Sequence, residues 1–160
     1  MEEKTVEVLK KAGWYPNRKI DISKLLVCYK KKGFDVFPAA IKFIEEFGML
    51  EIRSPISSKI SDKDILRYGF DRFENHTTDL TKYIINGLTS RSYVEEYEEY
   101  VEEKLVIVGK LVDGHATLMI SESGRFFTEY GFFGKSIEEF WDRLICQGHG
   151  HITNWEVWEG

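Results

Sequence analysis

Residues 105–121, LVIVGKLVDGHATLMIS, constrain this chain more than any other stretch. Two apolar runs meet through Asp113-Gly114. An Asp-Gly pair between such runs is a strong hairpin signal, because both central residues of the tight turn take positive φ. A second tight turn, Glu122-Ser123-Gly124, leads into RFFTEYG. The chain therefore builds antiparallel strands from about residue 105 onward.

The N-terminal part has a different period. Val6, Leu9 and Ala12 lie on one side of a short helix that Gly13 ends, and Pro16 blocks its continuation. Asp21 is placed to cap a second helix carrying Ile22, Leu25, Leu26 and Tyr29, which Gly33 ends. A third helix starts near Pro38, presents Phe37, Ala40, Ile41 and Ile44, and stops at Gly48. MLEIRSP then reads as a strand, SSKISDKD as a loop and ILRYGFDRF as a strand. The stretch ENHTTDLTKYIINGLTSR is the least decided, with a short helix or strand around Leu80–Ile85.

SYVEEYEEYVEEK is helical, with Tyr93, Val94, Tyr97, Tyr100 and Val101 on one stripe. Ser136 and Glu139 form a capping box for a last helix with Ile137, Phe140, Trp141, Leu144 and Ile145 inward, closed by Gly148. Helices, hairpin-linked strands and a closing helix make an α+β fold with a mainly antiparallel sheet. With 160 residues, one domain spanning 1–160 is expected, its tail loose from residue 149.

Hydrophobic residues make up 42% of the chain, which excludes a disordered protein. Residues 1–40 hold nine Lys/Arg against five Asp/Glu, a net of +4; residues 41–160 hold thirteen against twenty-two, a net of −9. An acidic chain is a poor direct binder of nucleic acid and suits a basic partner. MEEKTVEVLKKAG lacks an apolar signal region, and LVIV is too short to span a bilayer. Cys28 and Cys146 read as free thiols of a reducing compartment, so the expected location is the cytoplasm, with no membrane partner.

The motifs of serine hydrolases, P-loop enzymes, dinucleotide binders and zinc proteases are all missing, so no enzyme is expected. Cys146, His149 and His151 have a spacing that zinc accepts, but a polar glycine-rich tail explains them as well, and no fourth ligand follows. The reading is no metal and no cofactor. His115 reads as a solvated turn residue, and His76 has no obvious partner. Glu95, Glu96, Glu98, Glu99, Glu102 and Glu103 form either a solvated helix face or an acidic docking patch, which Asp62, Asp64, Asp71 and Glu74 would extend. Tyr93, Tyr97 and Tyr100 are either core or aromatic anchors of that patch. Trp14 with Arg18 is either a ligand site or a corner, in which Trp14 caps the core and Arg18 pairs with a buried carboxylate.

AGWYPNRKIDISKL, followed by FDVFPAAIKFIEEFGMLEI, resembles the N-terminal signature of the third subfamily of the SUKH superfamily. The matching positions are Gly13, Trp14, Arg18, Ile20, Asp21, Phe47, Gly48 and Leu50. VIVGKLVDGHATLMISESGRFF is similar to the family's later strands, with Gly109, Ile120 and Gly124 in place, and SIEEFWDRLICQG to its closing helix. Met49 stands where a second glycine is usual, Ile107 near where proline is common, and residues 54–104 match poorly. The resemblance implies a SUKH-like α+β domain acting as a bacterial immunity protein of a polymorphic toxin system. Such a protein binds and blocks a cognate toxin domain, a nuclease or deaminase, without being an enzyme. The alternative is an intracellular regulatory or scaffold domain of the Smi/Knr-related kind. The Gly13–Arg18 corner would then be structural, with specificity in the divergent middle.

Overall fold

The computed structural model describes residues 1–56, 63, 73–81, 90–147 and 152–160. Three helices come first: α1 (Glu3–Lys11), α2 (Ser23–Lys31) and α3 (Pro38–Phe47). β1 (Glu51–Pro55), β2 (Phe73–Thr77), α4 (Arg91–Val101), β3 (Leu105–Leu111) and β4 (Ala116–Ser121) follow. β5 (Phe126–Thr128), β6 (Gly131–Gly134), α5 (Ile137–Asp142), a π-helical turn (Arg143–Gln147) and β7 (Thr153–Asn154) complete the order.

The helix ends are written locally. Gly13 (φ +106) and Gly33 (φ +85) take the left-handed conformation that L side chains avoid. After each glycine an aromatic residue turns back: Trp14 N donates to Leu9 O, and Phe34 N donates to Tyr29 O, both at 3.0 Å. These are Schellman ends, and they bury Trp14 and Phe34 against the helices they close. α3 stops differently. Gly48 keeps φ at −69, but a Cβ there would lie 2.4 Å from Ile44 O. The left-handed residue is the next one, Met49, at φ +61. At α5, Ser136 Oγ accepts from Glu139 N at 3.1 Å, and Glu139 reaches back to Lys135 N at 2.6 Å.

The seven strands pair in chain order, each antiparallel to the next. β3 and β4 are buried almost throughout, as a sheet covered on both faces requires. Alternation along β5 and β6 shows the two covers. Phe126 packs on Phe43 and Phe140, and Phe133 on Phe140, toward α3 and α5. Phe127 stacks on Trp155 and Phe132 on Trp158, toward the C-terminal segment. Phe43 centres the first layer, with Phe47 at 5.4 Å and Trp141 at 6.1 Å.

Several expectations need correction. ENHT is a strand: β2 pairs with β1 from Glu51↔Thr77 to Pro55↔Phe73. His76 is buried and has partners, namely Ser54 Oγ at Nε2 (2.8 Å) and Val112 N at Nδ1 (2.9 Å). The β3–β4 turn is longer than a two-residue hairpin, because Leu111 pairs with Ala116 and positive φ begins at Val112. The tail returns to the sheet, with Thr153 and Asn154 pairing with Phe132 and Gly131. The strand expected at ILRYGFDRF lies outside the described residues up to Phe73, and the segment expected around Leu80–Ile85 does so from Lys82 onward.

Candidate partner-binding surface

The corner is a packed joint. Trp14 is buried, stacks on Phe47 at 5.7 Å with planes 8° apart, and donates from Nε1 to Glu46 Oε2 at 2.9 Å. Among the described residues Arg18 pairs with no carboxylate. It donates to the carbonyls of Glu46 and Gly48, both at 2.8 Å, where a helix end leaves acceptors open. Asp21 sits just ahead of α2 and accepts from Ser23 N (2.9 Å) and Ser23 Oγ (2.6 Å); the Ser23 hydroxyl bond holds its carboxyl below the usual range. Phe47, Gly48 and Leu50 complete the same joint at the end of α3, while Gly109 lies in β3 and Gly124 in the β4–β5 turn. These contacts leave the indole and the guanidinium engaged inside the chain.

Cys146 lies on the π-helical turn, 3.3 Å from Thr5 Oγ1, and burial pushes its thiol pKa up. Its neighbours are Glu2 and Asp142, whose carboxylates lie within 4.8 Å of it and of each other. Asp142 is already used, accepting Glu2 N at 2.9 Å and Thr5 Oγ1 at 2.7 Å. His149 and His151 lie outside the described residues. His115 is exposed.

The six glutamates divide into two sets. Glu98 pairs with Arg91 at 2.5 Å and accepts Leu105 N at 2.8 Å. Glu103 pairs with Arg125 and accepts Ser123 N at 2.7 Å. Burial pushes its carboxyl up, but the bonds from Arg125 and Ser123 outweigh this and hold it below its usual value. Both tie α4 and its exit to β3 and the β4–β5 turn. Glu95, Glu96, Glu99 and Glu102 are exposed and have no ion-pair partner among the described residues. Asp62, Asp64 and Asp71 lie outside the described residues. Glu74 is buried within β2, which removes it from any exposed extension of the patch.

The tyrosines divide as well. Tyr93 donates to Glu129 Oε2 at 2.5 Å, and Glu129 Oε1 accepts Thr117 N at 2.6 Å. Burial first, then Glu129, raise the Tyr93 phenol far above its usual 10, so it remains a donor. Tyr97 and Tyr100 both stack on Trp155, at 5.9 and 5.4 Å. Tyr100 is nevertheless 55% exposed and Tyr93 40%. Sequence periodicity put all three on one stripe. It missed Trp155, the partner of Tyr97 and Tyr100, because that residue returns from the far end of the chain.

Among the described residues no helix is long and apolar enough to cross a membrane. The family model described as SUKH-3 immunity protein matches residues 1–147. No curated protein and no solved structure shows a significant match.

Proposed function

The chain belongs to the SUKH-3 immunity protein family, and from that premise we propose that it neutralises a cognate toxin domain, a nuclease or a deaminase, by covering its working surface. It performs no chemistry of its own and acts in the cytoplasm of the producing bacterium. The observation that carries the reading is the exposed set Glu95, Glu96, Glu99 and Glu102, without an ion-pair partner among the described residues, beside Tyr93 and Tyr100 on and just past α4. An enzyme that grips phosphates does so with Lys and Arg, so its working face is basic. A complementary acidic face speeds association and rejects wrong partners, and aromatic anchors supply binding energy. Glu98 and Glu103 tie α4 and its exit to β3 and the β4–β5 turn, which favours presenting the other carboxylates without further ordering.

The test is co-expression of this chain with a toxin domain found encoded next to its gene, followed by titration of the purified pair. Rescue of growth together with stoichiometric inhibition supports the reading. A toxin that remains fully active in the presence of excess folded protein refutes it and favours a scaffold role with endogenous partners.

A further inference from the structure

We propose that the C-terminal segment 152–160 is the second wall of the toxin-binding surface and helps select the partner; this rests on the neutralisation reading above. The family match ends at residue 147, yet the segment beyond it is held in place. Trp155 lies between Tyr97 and Tyr100 of α4 and Phe127 of β5, and its indole donates to Glu129 O at 2.9 Å. Trp158 packs on Phe127 and Phe132, with the Arg125 guanidinium 5.5 Å from its ring.

With both indoles turned inward, Glu156, Val157 and Glu159 point out, and Val157 is 67% exposed. Tyr100 of α4, Glu102 just past its end, and Trp158 and Glu159 of the segment line one groove of about 470 Å³. The cation in that groove, Arg125, is already paired with Glu103. Helix and segment therefore meet in one groove edged by Glu102 and Glu159 with Tyr100 in its wall, and Glu156 and Val157 are exposed beside it on the segment. Its charge fits a basic protein domain, which is the occupant we assign. A segment serving only to cap the edge of β6 would need its indoles and its strand pairing, and it would be indifferent to the outward side chains.

The experiment exploits that difference. Full-length wild type, a segment variant (E156K/V157D/E159K) and a helix variant (E95K/E99K) are compared for binding to the adjacent toxin domain, at low and at physiological salt. Circular dichroism melting controls for folding. The segment variant should bind more than about tenfold more weakly, with slower association and a flatter salt dependence, at an unchanged melting temperature. Wild-type binding by the segment variant beside an impaired helix variant overturns this inference and leaves the neutralisation reading intact. A wild-type protein that neither binds nor inhibits the toxin overturns both. If the triple variant melts early, E156Q/E159Q takes its place. Undiminished binding by that variant at low salt overturns the inference.

Discussion

Nδ1 of His76 accepts the backbone N–H of Val112, a β-branched residue held at φ +51. A ring nitrogen that accepts leaves the other to donate, so Nε2–H points to Ser54 Oγ at 2.8 Å. Asn75 reinforces the clamp: its carbonyl accepts Asp113 N at 2.8 Å and its amide donates to Asp113 Oδ1 at 3.0 Å. One polar strand thus holds a strained turn. His76→Ala should remove about 2–4 kcal/mol of stability, because it leaves a cavity and unpartnered groups in a buried site. Urea unfolding measures this; a loss below about 0.5 kcal/mol would show that the turn needs no clamp.

Trp14→Ala should lose about 3–5 kcal/mol through lost burial and the cavity left beside Phe47. Trp14→Phe keeps a ring on Phe47 but drops the bond to Glu46 Oε2, so its loss should be smaller. Toxin affinity of the folded fraction should be unchanged in both. A variant that melts normally but fails to bind would make the corner an interface.

Met49 and Gly48 should respond in opposite directions. Met49→Gly relieves a left-handed conformation at a 42% exposed site, offset by the greater freedom of glycine when unfolded, for a net gain of up to about 1 kcal/mol. Gly48→Ala drives a Cβ into Ile44 O and should destabilise strongly. Thermal melts decide, and a clear drop for Met49→Gly contradicts the account.

Glu98 and Glu99 are neighbours with different duties. Glu98→Ala strands Arg91 and the Leu105 N–H and should lower stability by about 1–3 kcal/mol. Glu99→Ala should stay within about 0.5 kcal/mol of wild type, as exposed substitutions do, while slowing toxin association. The reverse ranking in chemical denaturation would reassign the two.

Glu103 sets a pH dependence. Its folded pKa lies below the usual 4.5, so its contribution is present above that value and is lost as pH falls through the folded pKa. Glu103→Gln should be less stable than wild type at neutral pH, and the gap should narrow as the solution is acidified below about pH 4.5. A gap that stays constant down to strong acid would exclude the linkage.

Much of the frame was legible because it is written over a few residues. The Gly13-Trp14 and Gly33-Phe34 helix ends, the Ser136 cap and the Gly124 turn follow from backbone preferences that neighbouring side chains enforce. The acidic helix and its tyrosine stripe were legible for the same reason, as a period of 3.6. The strand role of ENHT was not, since a polar run becomes a strand only when Ile52 and Ser54 pair with it and Val112 closes on His76. Nor could the sequence separate Glu98 and Glu103 from Glu95, Glu96, Glu99 and Glu102. All six have the same side chain on adjoining turns. Which carboxylates are consumed depends on where the fold brings Arg91, Leu105, Ser123 and Arg125. Trp155 is the extreme case, meeting Tyr97 and Tyr100 only after β3 to β6 have been laid down between them in the chain. Local propensity acts within a turn or two of chain, whereas the free surface is what remains after every long-range partner has been satisfied.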